Sequence, residues 1–276
     1  MKDHRYPIFP PELFAAIIDK LADDLESLRS CALVSLTFYS LARVSSRLQV
    51  GPLVDQAHSI VQLCELLESS PPFAEGVESL RLCCEWKEPN PCSWITEAES
   101  DLGRCLSLLV SLSRLCITVG GGYYPSLPWP RVSITNRDLI RVILPTLTCL
   151  ELHNIREFPL PLLSRCLSLR SLTLANVLLG DDSERALIAA DMDPRAQLQP
   201  LSLVKVPAFV LARFVLWITS TEYPLDISCL CSLECILPDA LSYLWLQRLS
   251  NASAQNLQCL YIKDCCFCMS SRSLHV

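Results

Sequence analysis

The chain has 276 residues, of which 51% are hydrophobic and 19% are charged, and its formal net charge is -6. This composition excludes general disorder, and an acidic chain without a basic cluster is a poor match for nucleic acid. Leucine occurs 52 times, far above ordinary usage, and any predicted fold has to explain that excess.

The mean hydropathy of +0.33 raises the question of a membrane span. The most apolar stretch, residues 201 to 218, contains Lys205, Pro207 and Arg213, so it lacks the roughly 18 uninterrupted apolar residues that a span needs. The N-terminus also lacks the apolar core and cleavage site of a secretory signal. We therefore expect no membrane partner and an intracellular protein, cytoplasmic or nuclear.

The first fifty residues predict three short helices. Pro11 and Glu12 begin the first helix, in which Leu13, Ile17 and Leu21 recur at four-residue intervals along one face. The second and third helices carry the apolar positions Leu28, Cys31, Val34, Phe38, Leu41 and Ala42. Such a small unit buries little on its own, so we expect it to dock on something.

The ordered positions of this segment resemble an F-box over residues 8 to 47. The matching residues are Phe9-Pro10-Pro11-Glu12-Leu13, Ile17-Ile18-Asp19, Leu21, Ser27-Leu28, Cys31-Ala32-Leu33-Val34-Ser35, Phe38 and Ala42-Arg43. The segment is most similar to F-box proteins of mushroom-forming fungi, in which a leucine-rich half follows. It departs from the family at Phe9, where Leu is usual, and at Leu36, where a basic residue often stands.

The resemblance implies the substrate-recognition subunit of an SCF-type ubiquitin ligase. In that family the F-box binds a small helical adaptor attached to a cullin, and the repeats hold the protein to be ubiquitinated, without covalent chemistry of their own. By family analogy the adaptor-binding residues are Pro10, Leu13, Ile17, Leu21, Leu28 and Val34. The alternative for each is a place in the core of the three helices.

A connecting helix is predicted from about Val54 to Ser69, and a repeat follows it. The repeat reads apolar-x-x-Leu-x-apolar, and its central leucines are spaced by 22 to 35 residues. The copies begin at Val77, Leu112, Leu147, Leu169, Leu198 and Leu257, with a degenerate copy at Leu230. Because side chains alternate along a strand, Leu172 and Leu174 point into one core while Ser171 and Thr173 point outward.

Stacked parallel strands returned by helices would make a continuous leucine core, which is a leucine-rich solenoid. Helical spacing between copies occurs in residues 136 to 144, 159 to 167, 182 to 190, 208 to 218 and 238 to 249. Pro200 predicts a weakened strand in its copy. The chain ends soon after the last strand, which leaves truncation, dimerisation or a partner open.

Two loops in the first half carry aromatic residues, which serve either as recognition elements or as lids over the first strands. These residues are Trp86, Trp94, Tyr123, Tyr124 and Trp129. The outward positions of the strands would form a concave surface. The predicted substrate-binding residues there are Arg81, Arg114, Glu151, His153, Tyr261 and Lys263. Arg81 and Arg114 could together hold a carboxylate or phosphate, although solvated surface arginines explain them as well.

The motifs of common enzymes and metal sites are absent from the sequence. Cys265 and Cys268 have C-x-x-C spacing, with Cys231 and Cys235 upstream, but a zinc site needs a second such pair, so we interpret the cysteines as core-filling residues. No histidine stands in a metalloprotease motif, and Gly120 begins a glycine run without a phosphate-binding lysine. We predict no enzyme activity, no cofactor, no metal and no catalytic residues.

The predicted fold class is α+β: an F-box at residues 1–50, a linker helix at 51–76 and a leucine-rich-repeat-like solenoid with a parallel sheet at 77–276. The alternative function is a leucine-rich scaffold or protein-interaction module with no ligase role, its N-terminal helices merely capping the solenoid. An enzyme on the solenoid would need a convergent cluster of histidine and carboxylates.

Overall fold

A computed structural model describes residues 20, 47–50, 56–84, 92–97, 101–120, 126–180, 196–220, 225–264 and 273–274. Lys20, within the predicted first helix, is helical and exposed. The six predicted adaptor-binding residues lie outside the described residues, as do Trp86, Tyr123, Tyr124, the segment 182 to 190 and the pair Cys265 and Cys268.

The described part of the chain is mixed α/β, as predicted, and is built on a parallel sheet. The strands are β1 (Arg47–Val50), β2 (Ser79–Cys84), β3 (Arg114–Val119), β4 (Leu127–Pro128), β5 (Cys149–His153), β6 (Ile155–Arg156), β7 (Ser171–Ala175), β8 (Ala196–Gln197), β9 (Pro200–Val204), β10 (Leu225–Asp226), β11 (Ser232–Leu237), β12 (Cys259–Asp264) and β13 (Ser273–Leu274). The main sheet has the order β1-β2-β3-β5-β7-β9-β11-β12-β13. Its strands are parallel except at the final pair, where β13 runs antiparallel to β12.

Helices and 3-10 turns connect the strands of this sheet from β1 to β7 and from β9 to β12. The helices are α1 (Gln56–Ser69), α2 (Pro71–Glu75), α3 (Ser93–Thr96), α4 (Leu102–Leu108), α5 (Ile134–Ile143), α6 (Ala208–Ile218) and α7 (Ser242–Ala252). The 3-10 turns are Trp129–Arg131, Leu144–Thr146 and Leu160–Arg165. No helix in the described ranges combines the length and apolarity that crossing a membrane requires.

The leucines of the repeat face one core because they share the register of the sheet. The central leucines stand opposite one another from strand to strand in the order Leu80, Leu115, Leu150, Leu172, Leu201, Leu233 and Leu260. Those from Leu80 to Leu233 are almost fully buried, whereas Leu260 on β12 is only partly buried. Parallel strands with one apolar face gain this burial only by stacking, so each copy depends on its neighbours.

Several elements differ from the prediction. The segment predicted as helical at 159 to 167 forms a 3-10 turn, Leu160–Arg165, with Pro161 in its first turn. The short spacing of 22 residues between Leu150 and Leu172 leaves little chain for a full helix. In addition, the helices α2, α3 and α4 and the strand β1 were not predicted. β1 lies within residues 1–50, which were assigned to the F-box, yet it pairs in parallel with β2 of the sheet.

Pro200 does not interrupt its strand. It is the first residue of β9, which pairs with β11 from Pro200 onward and with β7 from Leu201 onward. Proline is tolerated at the first residue of a strand because the missing N–H lies at the end of the ladder. The predicted weakening is therefore confined to one position, and Leu201 and Leu203 remain buried.

Residues of left-handed backbone conformation follow three neighbouring strands. Asn154, Asn176 and Lys205 have φ values of 59°, 51° and 52° directly after β5, β7 and β9. The Asn176 side chain donates to the side-chain oxygen of Asn154 at 2.8 Å, and Asn154 Nδ2 donates to the Gly120 carbonyl at 3.0 Å. The turn that ends these three strands is thus repeated from copy to copy.

Most described cysteines inside the fold behave as small hydrophobic residues. Cys64, Cys105, Cys166 and Cys235 are buried among the leucines. Burial raises the pKa of Cys166 to about 12, and it is the main cause that raises the pKa of Cys235 to about 12. Both thiols therefore stay neutral. These residues fit the core-filling interpretation made from the sequence.

Candidate functional site

The face of the sheet opposite the leucine core, called here the polar face, carries the side chains that alternate with the leucines. Its middle row runs across the strands in register as Arg81, Cys116, Glu151, Thr173, Ser202, Glu234 and Tyr261. The next row, two residues further along each strand, is Cys83, Thr118, His153, Ala175, Val204, Ile236 and Lys263. The outward orientation predicted for these positions follows from this alternation.

Three of the predicted substrate-binding residues come together on the polar face. Arg81 Nη2 lies 4.0 Å from Glu151 Oε2, and His153 Nε2 lies 3.7 Å from the same carboxylate oxygen. All three side chains are partly exposed. They form a charged cluster at the N-terminal half of the sheet, with β3 lying between the strand of Arg81 and that of the other two.

Arg114 does not join this cluster. It lies one row earlier on β3, exposed, opposite Ser79 of β2 and Cys149 of β5. Arg81 meanwhile has a carboxylate of its own chain, Glu151, within ion-pairing distance. The two arginines are therefore on adjacent strands, as predicted, but Arg81 is directed to an internal partner.

Tyr261 and Lys263 lie at the other end of the polar face, on β12. Tyr261 is 37% exposed and stands opposite Glu234, and Lys263 is also exposed. Strands β7, β9 and β11 separate them from Glu151 and His153. The predicted residues thus occupy two ends of one face, not one compact pocket.

The middle of the row is polar and internally hydrogen-bonded. Ser202 Oγ donates to Glu234 Oε2 at 2.7 Å, which joins β9 to β11. Thr173 and Ser202 are half-buried small hydroxyl residues between the two charged ends. Because these two side chains are small, they project less from the sheet than those of Glu151 and Glu234.

Cys116 is the residue that sequence reasoning missed at this site. It lies between Leu115 and Ile117 in the second repeat, so the alternation that placed Arg81 and Glu151 outward also places Cys116 outward. It is opposite both Arg81 and Glu151 in the register, and its neighbours leave only 8% of it exposed. The sequence signal for Cys116 was its position in the repeat template, which matches those of Arg81 and Glu151. The neighbouring side chains that cover Cys116 could not be predicted from the sequence.

The cluster strongly favours a protonated His153. Its interactions with Cys116 and then with Glu151 outweigh burial and raise the pKa of His153 to about 9. The His153 imidazole in turn is the main cause that lowers the pKa of Glu151, with smaller contributions from Cys116 and Arg81 against the effect of burial. At neutral pH the cluster therefore presents two cations around one carboxylate.

Trp129 resolves one part of the question about the aromatic loops. Its side chain is buried, and its ring meets that of Phe158 edge to face with centroids 5.0 Å apart. Trp129 is thus part of the core and not an exposed recognition element. The side chain of Trp94 lies outside what the structure describes, although its backbone is in α3.

No protein-family model matches the chain, and no curated protein matches it.

Proposed function

We propose that this chain is the substrate-recognition subunit of an SCF-type ubiquitin ligase. The N-terminal F-box-like helices would bind the helical adaptor and, through it, the cullin, while the remainder is a leucine-rich-repeat solenoid that binds the substrate protein. The single observation that carries the second half is the register of repeat leucines behind an open polar face. The first half is supported by the F-box resemblance of residues 8 to 47.

The polar face suits recognition of a protein more than of a small molecule. It presents charged groups at both ends, from Arg81 and Glu151 to Lys263, across seven successive strands. An extended surface whose middle side chains are small can accept a peptide segment or an edge of a folded domain. Mixed charge on that surface favours a specific arrangement of partner charges over general affinity for anions.

Catalysis by such a subunit consists of proximity. A substrate held on the polar face and a ubiquitin-charged enzyme held through the cullin belong to one assembly, so transfer becomes effectively intramolecular. No residue of this chain would form or break a bond in that transfer. The proposed site of action is intracellular, cytoplasmic or nuclear, with neither nucleic acid nor a membrane as a partner.

The competing function is a leucine-rich scaffold whose N-terminal helices bind no adaptor. Both functions use the polar face in the same way, so only the adaptor separates them. The test is a pull-down of the full chain with the purified adaptor. Wild type is expected to retain the adaptor, and Leu13→Asp with Ile17→Asp is expected to lose it, because two buried carboxylates would oppose an apolar interface.

A matched control carries the same number of new carboxylates at exposed positions. Val110 and Val142 are 71% and 70% exposed, so Val110→Asp with Val142→Asp should leave retention of the adaptor unchanged. Circular dichroism of each variant should match wild type. Failure of wild type to retain the adaptor would overturn the ligase proposal and leave the scaffold.

A further inference from the structure

Three donor atoms of different chemistry converge on the polar face. A cysteine sulfur, a carboxylate oxygen and a histidine nitrogen, from Cys116, Glu151 and His153, all lie within 4.8 Å of one another. The cluster joins two neighbouring strands, and its members are separated by up to 37 residues in the sequence, so no short sequence motif contains all three. Sulfur, nitrogen and carboxylate oxygen are the three ligand types that zinc takes in proteins.

The size of this triangle is close to that of a zinc site. With Zn–S near 2.3 Å and Zn–N and Zn–O near 2.0 to 2.1 Å, adjacent ligands of a tetrahedron lie about 3.3 to 3.6 Å apart. His153 Nε2 and Glu151 Oε2 are already 3.7 Å apart. Side-chain rotations that move the donor atoms by about 1 Å are enough to bring the other distances between donors to those of a zinc site.

The sheet fixes the backbone positions of the three residues. Cys116 on β3 is directly opposite Glu151 on β5, and His153 is two residues further along β5 on the same face. Groups on paired strands are held more firmly than groups on loops, which lowers the conformational cost of binding a metal ion. Cys116 is almost covered, whereas Glu151 and His153 are partly exposed, so an ion would be reached from the open side of the face.

Two further side chains occupy the positions of outer-shell partners. Thr118 Oγ1 lies 3.5 Å from Cys116 Sγ, where a hydroxyl can donate to a thiolate. Arg81 Nη2 lies 4.0 Å from Glu151 Oε2 and can orient the carboxylate. Such partners hold first-shell ligands in place and tune the charge of a metal site.

A cysteine nucleophile with a histidine base is the other chemistry that these residue types suggest. In such a relay the imidazole stands between its partners, with thiol and carboxylate on opposite ring nitrogens and so about 7 Å apart. Here one nitrogen, the sulfur and the carboxylate oxygen form a compact triangle. A triangle of donors around a common point is the arrangement of metal ligands and not of a relay.

We propose that Cys116, Glu151 and His153 form a Zn²⁺-binding site on the polar face, with the fourth coordination position open to water or to a donor of a bound protein. Binding breaks the S–H bond of Cys116 and an N–H bond of the protonated His153, forms the Zn–S and Zn–N bonds, and releases both protons to solvent. The site is independent of the proposed ligase function, because it requires neither the adaptor nor a substrate.

Cobalt substitution tests the site with a visible signal. Co²⁺ is titrated into the metal-free, reduced full chain while absorption is recorded, and Zn²⁺ is then added. We expect a thiolate-to-cobalt charge-transfer band and tetrahedral d–d bands that saturate at one ion per chain and disappear with Zn²⁺. Cys116→Ser is expected to abolish the charge-transfer band, and His153→Gln and Glu151→Gln to weaken Co²⁺ binding by ten-fold or more.

Two controls separate this site from the other cysteines. Cys149→Ser removes a half-buried thiol from the adjacent row of the same face and should leave the spectrum unchanged. Cys265→Ser with Cys268→Ser removes the C-x-x-C pair and should also retain the band. Loss of the band in that double variant, its persistence in Cys116→Ser, or no cobalt band in wild type would each overturn the proposal.

Thr118→Val provides a milder test that leaves every ligand in place. Loss of the hydroxyl beside Cys116 should weaken Zn²⁺ binding, measured by competition with a chromophoric chelator, by about ten-fold. Circular dichroism identifies any variant that fails to fold, and Thr118→Ser should restore the affinity. An unchanged affinity in Thr118→Val would remove the outer-shell role of the hydroxyl from the proposal.

Discussion

The turn residues Asn154 and Asn176 show how single side chains fix the ends of strands. Each adopts a left-handed backbone conformation, which costs most residues about 1–2 kcal/mol but is better tolerated by asparagine. Their side chains also bond to one another, so the turn of one repeat supports that of the next. Lys205 adopts the same left-handed conformation at the matching position after β9, although lysine tolerates it less well than asparagine.

Substitutions at Asn176 should distinguish the two contributions. Asn176→Ala loses the side-chain bond and places a Cβ in the left-handed region, so we expect the free energy of unfolding to fall by about 1–2 kcal/mol. Asn176→Gly loses the same bond but keeps the conformation and should cost clearly less. Urea unfolding of both variants measures the difference. Equal losses would show that backbone conformation is not what Asn176 supplies.

At the scale of elements, one carboxylate joins the starts of two helices. Asp239 Oδ1 accepts from the backbone N–H of Ser242 at 2.9 Å, where α7 begins, and Asp239 Oδ2 accepts from that of Ala208 at 3.2 Å, where α6 begins. Burial alone would raise the pKa of Asp239, but these hydrogen bonds and that of the Ser242 hydroxyl lower it overall. The two packed helices therefore share one cap.

Removing this cap should destabilise both helices. Asp239→Ala is expected to lower the free energy of unfolding by about 1–2 kcal/mol, whereas Glu97→Ala, the loss of an exposed carboxylate elsewhere, should change it little. Because the folded-state pKa of Asp239 is lowered, its stabilisation is present above the ordinary pKa and is lost as pH falls through the folded value. The difference between wild type and Asp239→Ala should thus shrink in acid. A difference that grows in acid would contradict the shared cap.

At the scale of the whole molecule, stability comes from stacking of repeats. Leu172 lies at the centre of the row of leucines and is fully buried, whereas Leu260 lies in the same row near the edge of the sheet and is partly buried. Leu172→Ala should cost about 2–5 kcal/mol, and Leu260→Ala distinctly less. Thermal unfolding of the two variants compares them. Equal losses would mean that the edge strand is packed as firmly as the centre.

The seven strands of the repeat copies could be predicted from the sequence because the repeat template and the alternation of side chains are both local. The polar face followed from the same alternation, and so did the places of Arg81, Glu151 and His153. Neighbour relations across strands are not local, however, and they decide that Arg81 faces Glu151 and that Cys116 completes a cluster with His153. The 3-10 turn after β6 depends on how little chain the spacing leaves, which a helical pattern alone does not reveal.

The central claim is that one chain joins adaptor binding at its N-terminus to protein recognition on the polar face. Affinity capture from cells followed by ubiquitin-remnant mass spectrometry tests it most directly. We expect wild type to capture the adaptor and a set of proteins bearing remnants. Leu13→Asp with Ile17→Asp should keep those proteins but lose their remnants, whereas Tyr261→Ala with Lys263→Glu should keep the adaptor but lose the proteins. The same remnants on the same proteins in wild type and both variants would contradict the claim.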